Sequence, residues 1–204
     1  MKKQLLLPML TAALCAVIYS PVHAQDPGDF FDFRGFPWGT DPETVISAEG
    51  PPDFEYSRKS EIFIENHLHY STKYFAEKAA AATFVFLESG GLIEGIYMFE
   101  FSGDPAGTDQ GMDFFSVLRS GLTAQYGPPS RTDPLPAPTN GSEPLPEIPA
   151  LSRDGSAAAA WDILGGEIVL LASAAPDTFA VTVFYRSPFL KDILRDQPDR
   201  YQGL

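Results

Sequence analysis

Apolar and polar residues alternate over several stretches of the chain, and two other stretches repeat apolar residues at helical spacing. His67 to Ala76 sets Leu68, Tyr70, Thr72 and Tyr74 on one side and His67, His69, Ser71 and Lys73 on the other, the two-residue period of a half-buried strand. Ala81 to Glu88 is apolar on both sides and predicts a central strand. Gly90-Gly91 predicts a two-residue hairpin turn into Leu92–Ser102, whose Ile93, Tyr97, Phe99 and Phe101 share a side. A second run of strands is expected at Ala157–Leu164, which contains Trp161, at Glu167–Ala174 after a Gly165-Gly166 turn, and at Thr178–Arg186 after Pro176-Asp177. In the last of these Phe179, Val181, Val183 and Tyr185 point inward.

Helices precede both runs. Thr40-Asp41-Pro42-Glu43 reads as a capping box with Thr40 at the N-cap, and Gly50 followed by Pro51-Pro52 closes that helix. The second helix is expected from about Asp109 to Tyr126, where Met112, Phe115, Leu118, Leu122 and Tyr126 share a face. It also ends in Gly-Pro-Pro, at 127–129, so the signal repeats one helix and one set of strands later. Phe33 to Gly39 reads as a short strand leading into a turn, Phe31 and its neighbours as strand completion, and Phe189–Arg195 as a short final helix.

The expected fold class is α+β: two tandem units of one helix packed on a three- to four-stranded antiparallel sheet, each split by a Gly-Gly hairpin. The units are residues 25–107 and 108–188, followed by a short helix and tail over 189–204. Residues 133–150 carry Pro134, Pro136, Pro138, Pro144, Pro146 and Pro149 and form an extended excursion within the second unit, since proline supplies no ladder donor.

Phe36-Pro37-Trp38-Gly39-Thr40, the Gly-Pro-Pro after each helix, the aliphatic hairpin and Val183-Phe184-Tyr185-Arg186-Ser187 together resemble small uncharacterised periplasmic proteins of bacteria with a Trp-Gly-Thr/Ser signature. The tandem helix-plus-sheet plan is similar to the repeat of β-lactamase inhibitor protein and of the small lipoprotein of the outer-membrane β-barrel assembly machinery. By analogy of fold, the resemblance implies a binding or scaffold role.

The first 24 residues change the picture from fold to compartment. Lys2 and Lys3, an apolar run from Leu5 to Ile18 and Val22-His23-Ala24 before Gln25 follow the order of a cleaved secretory signal, which points to the periplasm or to secretion. The run is shorter than the roughly 20 residues that span a bilayer, so no membrane insertion is expected after cleavage. Losing Lys2 and Lys3 leaves 27 acids against 12 of the 14 bases, so the formal charge moves from −13 to −15. Such a surface excludes nucleic acid as a partner class, because phosphate binding needs basic residues. Cys15, the only cysteine, leaves with the signal, which removes disulfides, thiolate catalysis and cysteine-ligated metals.

Candidate chemistry is sparse. His67 and His69 lie two apart on one strand side and can share a metal only with further ligands such as Glu65, two being fewer than a site needs. As a plain alternative, they decorate the strand's outer side. Asp104, Asp109 and Asp113 lack the calcium-loop spacing, and Asp109 reads as the second helix's cap. Ser89-Gly90-Gly91 lies in a turn rather than on a nucleophile elbow. Trp38 and Trp161 read as core. No catalytic residue and no cofactor is assigned. The leading expectation is an exported non-enzymatic binding or protein-interaction domain whose partner is an envelope protein or a small molecule. A hydrolase with a site assembled only in three dimensions and an envelope-assembly factor stand as alternatives.

Overall fold

A computed structural model describes residues 31–59, 64–75, 77–132 and 157–196. The predicted signal segment, the Pro-rich segment 133–150 and the tail beyond 196 lie outside the described residues. The elements run α1 (Pro42–Glu49), β1 (Phe54–Lys59), β2 (Ile64–Phe75), β3 (Lys78–Leu87), β4 (Leu92–Ser102), α2 (Pro105–Tyr126), β5 (Arg131–Thr132), β6 (Ala157–Ile163), β7 (Gly166–Ala175), β8 (Thr178–Arg186) and α3 (Pro188–Asp196). The protein is thus α+β, with one eight-stranded antiparallel sheet ordered β1-β2-β3-β4-β8-β7-β6-β5.

That sheet is continuous. β4 and β8 pair along their lengths, from Glu94 opposite Arg186 to Ser102 opposite Thr178. The main core lies on the sheet face that carries Leu68, Tyr70, Phe84, Tyr97, Phe99, Val181, Leu170 and Trp161, and α2 covers it with Phe115, Leu118 and Leu122. Gly111 permits this approach: a Cβ there would sit 2.2 Å from the Phe179 ring. Over β4, the N-terminal segment completes the layer. Phe31 and Phe33 are buried, and Phe33 packs on Phe84 and Tyr97 with ring centroids 5.0 Å away in each case. They are core plugs rather than a strand; only an isolated bridge joins Phe33 to Phe36.

Matching contacts recur in the two halves of the chain. Each of α1 and α2 is N-capped by an aspartate, Asp41 or Asp104, with a proline next, and closed by a positive-φ glycine, Gly50 or Gly127. An aromatic on the second strand after each helix donates to that glycine's carbonyl at 3.0 Å: the Tyr70 hydroxyl to Gly50 and Trp161 Nε1 to Gly127. Asp53 N donates to His69 O and Ser130 N to Ala160 O, both at 2.8 Å. Two residues further on, the backbone N–H groups of Ser71 and Asp162 donate to the Asp53 and Ser130 side chains.

Several sequence expectations need correction. The first N-cap is Asp41, not Thr40, because its carboxylate accepts from Thr44 N at 2.8 Å. The second helix begins at Pro105 and is capped by Asp104, which leaves Asp109 and Asp113 on the helix itself. A bulge between Tyr70 and Lys73 reverses the alternation, so Lys73 turns to the core side and Tyr74 becomes 69% exposed. A second bulge opposite Val85 and Phe86 sends Ile93 to the other face. The Gly90-Gly91 connection is four residues, Glu88 to Gly91, between β3 and β4. The expected Gly165-Gly166 turn is instead Leu164-Gly165, between β6 and β7, with Gly166 already on β7 and paired to Ile163, so the two Gly-Gly pairs are not equivalent.

Candidate functional site

The second sheet face is only partly covered. Leu190 of α3 packs there on Val85 and Ile93, with Leu194 beside them. Toward the β1 edge, described side chains form an open surface. Phe54 stands opposite His69 and Tyr56 opposite His67. Each pair stacks nearly parallel, with centroids 4.3 Å and 4.4 Å apart and planes at 19° and 15°. The outer members stay open, Phe54 51% and Tyr56 45% exposed, while His67 is buried beneath. Stacking on an imidazole holds each ring in place, so the exposed rings lose little freedom when a partner covers them.

Both histidines are engaged. His67 Nε2 lies 3.2 Å from Glu65 Oε2, and its Nδ1 is buried without a hydrogen-bond partner among the described residues. His69 Nδ1 lies 3.0 Å from Thr83 Oγ1. Burial holds the His69 ring below the usual imidazole range, against the pull of Asp53, so it is neutral at neutral pH. The predicted pair therefore shares a face, but among the described residues no three His, Cys, Asp or Glu side chains are placed to hold a metal ion. Beside His69, a shallow depression of about 350 Å³ is lined by Ser71, Ala79, Ala81, Met98 and Glu100. Small residues on β3 create this floor, and Met98 gives it an adaptable apolar patch.

On the same face a line of ion pairs crosses the strands near α3. Arg186 Nε donates to Glu94 at 2.8 Å and Arg186 Nη1 to Glu167 at 3.1 Å, and Arg131 also contacts Glu167. Asp162 receives Lys191 of α3 at 3.2 Å. Burial pushes the Glu94 carboxyl above the usual range against the opposing Arg186 charge. A carboxyl raised in this way favours folding at pH values below its unfolded value, and the contribution fades as pH rises through the folded one. These groups satisfy one another, which is what a structural tie between sheet and helix requires.

Of the tempting tryptophans, Trp161 is buried and ties β6 to the end of α2. Trp38 packs on the core, 5.6 Å from the Phe31 ring. Sequence reasoning missed Phe54 and Tyr56, although their alternation with Glu55 and Ser57 was the available signal. No described helix is long and apolar enough to cross a membrane. Comparison with known protein families, curated proteins and solved structures finds no match, so the reading of this face rests on its own geometry.

Proposed function

We propose that the chain is an exported, non-enzymatic binding or protein-interaction protein of the periplasm or the secreted medium, and that it binds through the open face of β1 to β4. The exposed ladder of Phe54 and Tyr56, each held by stacking on a histidine, carries this reading. Ordered aromatic rings beside a shallow, partly apolar depression suit a protein surface better than a small molecule, which takes a deeper and more enclosed pocket. The acidic signal-free chain turns away nucleic acid and favours a partner with neutral or basic contact residues.

The chain also reads as two tandem units, each a helix followed by four strands and joined across β4 and β8. The paired aspartate caps, the glycine closures and the two aromatic-to-glycine bonds support this layout, as does the mirrored strand order. It agrees with the binding or scaffold role implied by the resemblance to tandem helix-plus-sheet inhibitors and envelope lipoproteins. Only β1 is long in the pair of outermost strands, so the first unit carries the binding edge. A photo-crosslinking residue at position 56 tests the assignment: it should capture an envelope protein, whereas the same residue at Val117, exposed on α2, should not.

A further inference from the structure

The outermost strand carries a pattern that the ligand-binding face does not use. Among the described strands β1 ends the sheet, and all six of its residues are exposed. An open strand of this length exposes a row of backbone donors and acceptors, which proteins ordinarily cover or blunt.

The phase of those free groups follows from the ladder. Glu88 N donates to Ile64 O, so the even-numbered residues of β2 before its bulge bond to β3. Its odd residues, Glu65, His67 and His69, therefore bond to Arg58, Tyr56 and Phe54. The backbone groups of Glu55, Ser57 and Lys59 are left pointing away from the sheet.

We propose that β1 is an interface between two copies of this chain, which join their sheets edge to edge in antiparallel fashion about a two-fold axis at Ser57. In that register the outward groups of Ser57 meet their own copies, and Glu55 lies opposite Lys59 of the second copy. On the ladder face Tyr56 lies opposite the second Arg58, a cation beside a ring. Opposite charges thus meet twice by symmetry, where like charges would guard a blunted edge. A slip of one residue puts each ladder on the wrong face. A slip of two sets Lys59 against Asp53, whose carboxylate already accepts from Ser71 N.

The far edge reinforces the choice. Among the described residues β5 has two, too few to receive β1, so the contact is isologous and closes as a dimer instead of propagating as a filament. The dimer sets the two aromatic ladders side by side on one continuous face. The proposal stands independently of the ligand-binding reading, and its test uses the purified protein alone, so either can fail without the other.

Sedimentation velocity over a concentration series at low salt should show a monomer–dimer equilibrium for the wild-type chain. Glu55→Lys and Lys59→Glu, both at exposed positions, should each weaken it by about tenfold or more, because symmetry places like charges together twice. The double variant Glu55→Lys/Lys59→Glu should recover the wild-type dissociation constant, with circular dichroism unchanged throughout. A wild-type chain that stays monomeric, single variants that associate normally, or a double variant as weak as the singles would each overturn the proposal.

Discussion

Gly95 and Phe33 should behave as one unit. Gly95 lies on the core face of β4 opposite Phe84, and Phe33 lies flat over it: a Cβ built at Gly95 would fall 2.0 Å from Phe33 Cγ and 2.2 Å from Cδ1. Phe33→Ala empties a site that is 1% exposed and should cost about 3–5 kcal/mol, a fall in Tm of roughly 6–20 °C for a chain of this size. Gly95→Ala must push the ring out of its seat and should cost about 1–3 kcal/mol, even though alanine suits a strand better than glycine. In the Phe33→Ala background the added methyl enters space the ring has left, so its cost should fall to about zero or change sign. The coupling between the two sites should then exceed about 1 kcal/mol. Urea unfolding of the four proteins, followed by Trp38 and Trp161 fluorescence and by circular dichroism, gives the cycle. Additive costs would refute the claim that this glycine exists to seat the N-terminal segment.

Glu49 receives Arg34 Nε and Lys73 Nζ at 2.7 Å each. Although burial pulls the other way, these partners hold its carboxyl below the usual range. A depressed carboxyl contributes stability above its unfolded value and loses it as pH falls through the folded one. Glu49→Gln should therefore cost about 1–2 kcal/mol near neutral pH, and urea midpoints of the two proteins should converge as pH falls below the ordinary carboxylate range. Tyr70→Phe should cost about 1 kcal/mol through the lost bond to Gly50; Trp161→Phe should cost more, because it removes ring volume together with the matching bond to Gly127. Calorimetry that found either variant unchanged would show that this bond does not hold its helix end.

Much of this architecture was legible because local chemistry and fold agree. Gly-Pro-Pro ends each helix by φ and by the missing donor, and Thr178–Arg186 alternates without interruption over its length. What stayed illegible was decided at a distance. The bulges that turn Lys73 and Ile93 leave no residue signature, since each answers to register with a neighbouring strand. That β4 would pair with β8 and merge two sets of strands into one sheet depends on two segments about 80 residues apart in the chain meeting edge to edge. Asp104 displaced Asp109 as the cap because Pro105 sets the first helical φ earlier than the apolar repeat begins. At the site, the His67 and His69 alternation was readable, but the stacking was not: the rings that cover them come from β1, and only pairing aligns Phe54 and Tyr56 with the imidazoles.

The central claim, that the β1 to β4 face is what the protein uses to bind, is tested most directly by photo-crosslinking in exporting cells. A crosslinking residue replaces Tyr56 in one strain and Val117 in another, and adducts are identified by mass. The account predicts a distinct heterologous adduct from position 56 that is absent from position 117 and disappears when Phe54 is also changed to alanine. Position 56 yielding no heterologous adduct, or the same adducts as position 117, would contradict it.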